Sequence, residues 1–206
     1  MTTSQKTAVR RRRGRPQSFD RQAVIEEAMK LFWDRGYEGT SFAELIVAMG
    51  VSASTFYNSF GSKEHLFIEA VQHYMTGPGG ERVATILSGP DDTRTAFARL
   101  LEAAALDFTS PAYPAGCMIS LAGTHVPPEL HTVRDTMVQF RANFDRMLED
   151  RLRRGVQDGE LAPKTDVTEL ASFFATMFRG IAVQARDGKS RDHLLGLARV
   201  AMRVWP

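Results

Sequence analysis

The sequence predicts an all-α protein, with two helical units behind a basic arm. Three observations carry that reading. Apolar residues recur at i, i+3 and i+4 along most of the chain, the spacing of an amphipathic helix. No stretch reads convincingly as a strand, and no sequence repeat is visible. Capping residues and Gly or Pro breaks fall where the periodic runs begin and end. The expected boundaries are 1–18 for the arm, 19–75 for a small unit and 76–206 for a larger one.

The elements follow in order. "FDRQAVIEEAMKLFWDRG" places Val24, Ala28, Leu31 and Phe32 on one helical face. Asp20 is its N-cap, Phe19 with Val24 forms a hydrophobic staple, and Gly36 ends it. "SFAELIVAM" is a shorter helix whose Ser41 and Glu44 have capping-box spacing. Gly50 ends it, and Ser52 caps a third helix. Ser62 caps a fourth, with Leu66, Phe67, Ala70, Val71 and Tyr74 on its apolar face. "TGPGG" and "SGPDD" bracket a short helix. "TRTAFARLLEAAALDFT" is apolar nearly all round and therefore buried. One short helix is expected before Pro127, then a long one from "ELHTVRDTMVQF" to "GVQ", and two more in "DVTELASFFATMFRGIAVQARDG" and "RDHLLGLARVAMRVW".

Composition excludes several classes. A chain of 206 residues with 43% apolar content can fill a real core. Its one cysteine, Cys117, cannot close a disulfide within the chain, which fits a reducing compartment. No apolar run is long enough to span a bilayer. The basic N-terminus leads into "SFDRQAVIEEAMKLF" rather than an apolar signal core. A cytoplasmic location without a membrane partner is expected.

The net charge of +2 hides an asymmetry. Lys6, Arg10, Arg11, Arg12, Arg13 and Arg15 all precede the first acid, Asp20, and the remaining chain is net acidic. A basic arm on an acidic body points to a nucleic acid or an anionic surface.

Helix, glycine bend and second short helix have the layout of a helix-turn-helix. Leu45, Val51, Phe56 and Phe60 are the inward residues that lock the pair. The outer face of the second helix carries the short groups Ala53, Ser54, Thr55, Asn58 and Ser59, small enough for a backbone to enter the major groove.

The run "GYEGTSFAELIVAMGVSASTFYNSFGSKEHLF" resembles the DNA-binding domain of the TetR family of bacterial transcriptional regulators. The residues that carry the resemblance are Gly36 with Thr40 and Ser41, then Gly50, Val51 and Ser52, then Thr55, Phe56, Tyr57 and Phe60, and finally Ser62, Lys63, Glu64 and Leu66. The fold implied is an N-terminal helix-turn-helix three-helix domain joined to a larger helical ligand-binding and dimerisation domain. The resemblance implies that Tyr57 and Lys63 touch phosphates and that the helix start at Ser41 approaches the backbone, as helix N-termini favour. Ala53, Ser54 and Thr55 then lie nearest the bases. Asn58 pairs with adenine or holds a phosphate or water; both readings stay open. Ile46 stands where the family often has a small residue. Asn58 and Ser59 replace frequent aromatic and His residues, which implies a different operator.

The resemblance also implies a homodimer on a palindromic operator, released by a small molecule. Ala171, Ala175, Phe178, Ala182, Leu194, Leu197 and Ala201 of the last two helices are the candidate dimer interface. Phe97, Leu101, Phe108, Tyr113, Met118, Phe140, Phe144, Met147 and Phe174 are candidates for an apolar pocket suited to an apolar or aromatic ligand. No cofactor is expected. Cys117 is a candidate redox or metal-responsive residue, while His125 and His131 lack helical ligand spacing. An activator or constitutive regulator of the same family, and a basic-armed helical interaction module, remain alternatives; no nucleophile–base or metalloenzyme motif favours an enzyme.

Between Asp20 and Met75 the cations are Arg21, Lys30, Arg35 and Lys63, against twice as many acids. The arm is therefore expected to supply most of the counterion-release affinity. Deleting residues 1–15 should weaken DNA binding and flatten its salt dependence in anisotropy titrations; an unchanged slope refutes this.

Overall fold

The structure, a computed structural model, describes residues 20–77, 79–124 and 126–206. The arm with Arg10 to Arg13 and Arg15, the Phe19 staple and His125 lie outside the described residues. Among the described residues all regular structure is helical. The order is α1 (Arg21–Arg35), α2 (Phe42–Ala48), α3 (Ala53–Phe60), α4 (Lys63–Met75), α5 (Glu81–Ser88), α6 (Thr93–Asp107), α7 (Met118–Leu121), α8 (His131–Gln157), α9 (Val167–Arg186) and α10 (Arg191–Ala201), closed by a 3-10 turn, Met202–Val204.

The caps read from the sequence are in place. Asp20 accepts from the N–H groups of Gln22 and Ala23. Ser41 and Glu44 form the full capping box. Ser52 and Ser62 accept from the N–H groups of Thr55 and His65. Gly50 has φ 63°, so the bend between α2 and α3 uses the left-handed region that glycine enters without strain.

Val24, Ile25, Ala28, Met29, Phe32 and Trp33 line the buried side of α1. They meet Leu66, Phe67, Ala70, Val71 and Tyr74 of α4. Phe32 and Phe67 pack edge to face at 5.0 Å. Leu45, Phe56 and Phe60 close the same core from α2 and α3. The other side of α4 rests on α7 and α8, so α4 belongs to both units. Beyond it, α6, α8, α9 and α10 pack side by side, with Phe97, Phe174 and Trp205 in mutual ring contact.

A polar junction fixes the far end of the larger unit. Arg151 of α8 donates to Thr93 Oγ1 at 2.7 Å and to the Asp91 carbonyl. Glu160 accepts from the Thr93 N–H at 2.7 Å and from its hydroxyl. A carboxylate thus sits at the N-terminus of α6, where free N–H groups favour it. Gly155 is what lets α8 approach: a Cβ there would lie 3.0 Å from Thr93 Cβ. Gly155→Ala should therefore destabilise the fold by about 1–3 kcal/mol, read as a lower urea midpoint at unchanged m.

Candidate nucleic-acid interface and effector cavities

The helix-turn-helix presents the face that its sequence suggested. Phe56 is fully buried and Phe60 nearly so, and they anchor α3. Ala53, Ser54 and Asn58 are exposed; Thr55 and Ser59 are half-buried. Ser52 Oγ lies 2.9 Å from both Ser54 Oγ and Thr55 Oγ1, so the cap also orients the first hydroxyls of the reading face. Tyr57 is 57% exposed, yet its ring stacks on Phe42 at 5.3 Å. That contact fixes the ring while leaving much of the side chain in solvent.

The two other predicted phosphate contacts are already engaged. Lys63 Nζ sits 4.2 Å from the centre of the Tyr37 ring, a cation–π geometry. Burial lowers its pKa. Ser41 gives its N–H and its hydroxyl to Glu44 Oε2, at 2.9 and 2.7 Å. The hydroxyl bond comes first among the causes that hold Glu44 below its ordinary pKa, so it is anionic at neutral pH. The first turn of α2 therefore carries its own carboxylate, which in turn pairs with Arg35.

Two adjoining cavities lie under α4 and α5. The larger, about 470 Å³, is lined by Trp33, Tyr74, Arg82, Leu100, Asp107 and Tyr113 among others. The smaller, about 260 Å³, is lined by Cys117, Ile119, Phe140, Arg141, Met147 and Arg179 among others. Tyr74, Gly79, Val83 and Phe178 border both. Of the predicted pocket residues, Phe108 and Tyr113 line the first, and Phe140, Phe144 and Met147 the second. Phe97, Leu101, Met118 and Phe174 line neither. They are fully buried in the core, where tilted ring contacts with Trp205 occupy Phe97 and Phe174. Trp33, Tyr74, Arg82 and Arg141 were not anticipated as lining residues, because their roles depend on which helices meet.

Polar groups around the cavities are mostly committed. Arg82 pairs with Asp107 at 2.6 Å. Tyr74 Oη donates to Cys117 Sγ at 3.4 Å, and burial pushes the Tyr74 pKa well up. Cys117 is itself buried. Arg141 donates to the Ile119 carbonyl at 3.3 Å; burial, and then neighbouring Arg179, lower its pKa. No cluster of His, Cys, Asp or Glu able to hold a metal occurs among the described residues, and no described helix is long and apolar enough to cross a membrane.

The residues expected at a dimer interface are largely used inside the chain. Ala171, Ala175, Phe178, Ala182, Leu194 and Ala201 are buried within the single chain, and Leu197 is half-buried. The small Ala171, Ala175 and Ala182 let α9 pack against α6, α8 and α10 of the same chain.

The larger unit also grips the smaller one directly. Arg186 of α9 donates to the Trp33 carbonyl at 2.6 Å, and to the Asp34 carbonyl and Oδ1 at 2.9 and 3.1 Å. It thereby satisfies carbonyls at the C-terminal end of α1, which no helical N–H reaches. The Tyr37 N–H reaches the Ala122 carbonyl at 3.4 Å beside it.

Comparison with known proteins agrees with this architecture. A model described as bacterial regulatory proteins, tetR family, matches residues 24–70, and a tetracyclin repressor-like C-terminal domain matches residues 96–200. The chain is 35% identical to the HTH-type transcriptional repressor ComR of Escherichia coli (strain K12), over 100% of this chain and 98% of ComR. The chain belongs to the TetR family.

A further relative is BdcR, also of E. coli (strain K12) and named an HTH-type transcriptional repressor, 28% identical over 91% of this chain and 90% of BdcR. Among solved structures, a cysteine mutant of the TetR family regulator CifR, complexed with 26-base-pair operator DNA, superposes with TM-score 0.89 at 42% identity. That match covers 93% of this chain and 100% of CifR. The chain is accordingly a DNA-binding transcriptional regulator, with α2 and α3 as its helix-turn-helix.

In this TetR-family fold the Arg186 grip is a testable joint. Arg186→Met should cost about 1–3 kcal/mol in urea denaturation and speed amide hydrogen exchange in the last turn of α1. Unchanged exchange there would show that the grip adds nothing.

Proposed function

We propose that the protein is a homodimeric repressor that occupies a palindromic operator and leaves it when an apolar or aromatic small molecule enters the space beneath α4. One observation carries this reading. α4 begins at Lys63, directly after the reading helix, and its last turn, at Tyr74, walls both cavities. A helix of that length spans roughly 20 Å and couples the two places without an intermediary.

Ala53, Ser54 and Thr55 lie nearest the bases, with Asn58 and Ser59 beside them. Tyr57, Lys63 and the start of α2 at Ser41 meet phosphates, and the arm supplies long-range attraction. A cavity occupant that fits one placement of α4 better than the other shifts the equilibrium between reading-head spacings. ComR and BdcR carry repressor names, and CifR is held on operator DNA; these favour repression over activation. The dimer face that suits the burial pattern is the outer side of α9 and α10. There Ser172, Thr176 and Val183 are exposed, Gly180 has open space beside it, and Val200 is 52% exposed.

The test is a mobility shift on DNA upstream of the protein's own gene, with excess non-specific competitor, combined with sedimentation of the complex. Retention under competitor, with two chains per site, is the expected result. Loss of retention to competitor rejects sequence-specific regulation, and one chain per site rejects the dimer.

A further inference from the structure

Arg141 and Arg179 both stand at the smaller cavity, and no Asp or Glu is among the described residues that line it. Arg179 of α9 is accounted for. It pairs with Asp145 and donates to the Arg141 carbonyl at 3.4 Å. Arg141 of α8 is different. It has no carboxylate of its own among the described residues, and its Nη1 donates to the Ile119 carbonyl at 3.3 Å.

Arg141 is half-buried. A guanidinium is a planar fork of N–H donors that accepts nothing and keeps its charge. The Ile119 carbonyl takes one branch of the fork and so fixes its position. Burial, and then Arg179, act against the Arg141 charge; Asp145 favours it less strongly and is already bound to Arg179. Arg141 and Arg179 against Asp145 leave one positive charge uncompensated. The other polar groups of the wall do not offset it. Tyr74 is held neutral by burial and donates to Cys117 Sγ at 3.4 Å. Asn143 Oδ1 is taken by Gln139 and Arg146, which leaves its amide N–H groups as donors, and Ser120 adds a hydroxyl.

The rest of the wall is apolar, with Met75, Val83, Phe140, Phe144 and Met147 prominent in it. Phe140, Phe144 and Met147 follow one another along one side of α8, and Arg141 stands at the edge of that stripe. The space, about 260 Å³, lies near the lower end of ligand cavities. It therefore suits a small apolar body with an anionic end. The two oxygens of a carboxylate match the guanidinium fork. A single negative charge balances the single surplus positive one, whereas a dianion would bring unpaired charge into a poorly solvated place.

We propose that the effector is a small amphipathic monocarboxylate, whose carboxylate binds the Arg141 fork while an aromatic or branched aliphatic body fills the smaller cavity. The inference deepens the ligand-released reading above and rests on it for its regulatory consequence. Tyr74 and Met75, in the last turn of α4, border the space that the body fills. Ile119, the anchor of Arg141, belongs to α7, which touches both α1 and α4. An acid that draws Arg141 towards the cavity therefore acts on the elements that hold the reading head.

The test compares 3-phenylpropionate with 3-phenylpropionamide, the same body with a neutral end of nearly the same shape. Calorimetric titration of the full chain measures both against wild type and Arg141→Met, which keeps an unbranched apolar stem and removes the fork. Wild type should prefer the acid by about ten- to hundredfold. The variant should lose that preference while its affinity for the amide changes little. A crystal structure of wild type with 3-(4-bromophenyl)propionate, located by bromine anomalous scattering, decides the matter even if Arg141→Met folds poorly. It should show the bromine in the smaller cavity and the carboxylate within hydrogen-bond distance of Arg141. Equal affinities in wild type, an undiminished preference in Arg141→Met, no acid bound, or a carboxylate seated away from Arg141 overturns the proposal. Acid bound at Arg141 with operator DNA retained in a mobility shift leaves the site standing and sinks the ligand-released reading. Release of DNA by the amide as readily as by the acid does the reverse.

Discussion

The fold depends on α4 being buried along two sides at once. Leu66, Phe67, Ala70, Val71 and Tyr74 are all nearly or wholly inaccessible, yet they divide their contacts between α1 on one side and α7 and α8 on the other. Each large apolar side chain so buried contributes about 1.5–3 kcal/mol. Neither unit can therefore release α4 cheaply, and one continuous core runs from Val24 to Ala201. Close-packed cores of this kind tend to have discrete arrangements rather than a continuum. A helix shared in this way holds the two units together and is also the element whose displacement both must feel.

The same economy governs charge in the reading head. Arg21 pairs with Glu69 at 2.6 Å and lies over the Phe60 ring; Lys30 is 3.0 Å from Glu27; Arg35 meets Glu44; Lys63 faces Tyr37. Each cation between Asp20 and Met75 is thus engaged inside the fold, in a segment where acids outnumber cations. These surface pairs add little stability individually. Their consequence is electrostatic: they leave small uncommitted positive potential where a phosphate would approach. The helix-turn-helix brings shape and short polar groups, and attraction over distance has to come from elsewhere in the chain. The run of arginines before Asp20 is the densest positive charge in the sequence.

Local rules made much of the fold legible. The caps Asp20, Ser41, Ser52 and Ser62 are hydrogen bonds between near neighbours, so a few residues of sequence suffice to reveal them. The inward residues Leu45, Phe56 and Phe60 were equally readable, because a short helix has only one apolar side. The larger unit resisted for a physical reason. In α6 and α9 apolar or small residues occupy most of the circumference, and periodicity then says that a residue is buried without saying against what. Phe108 and Phe178 border the cavities while Phe97 and Phe174, similar in chemistry, pack on Trp205; tertiary packing alone separates them. The alanines of α9 are ambiguous in the same way: small residues permit close approach, and the helices they admit include α6, α8 and α10 of the same chain. Trp33 passed unnoticed because within α1 it is one more apolar residue, and its place on a cavity wall exists only once Tyr74 and Tyr113 meet it.

Polar character, rather than shape, is what separates the two cavities. They share Tyr74, Val83 and Phe178, so matter placed in either presses on a common wall. The larger carries Arg82 paired with Asp107, and Glu81 beside them. The smaller holds Arg141 and Arg179, with Asp145 paired to Arg179 alone. Desolvation penalises a buried guanidinium, and the lowered pKa of Arg141 reflects that penalty. The two spaces consequently differ in polar lining while sharing a wall on α4. Because Tyr74 ends the helix that begins beside the reading face, selection by polar groups and transmission by packing are carried by different atoms. Under the proposed ligand-released reading, changes at Arg141 would alter which molecule is accepted, and changes at Tyr74 or along α4 would alter what it does.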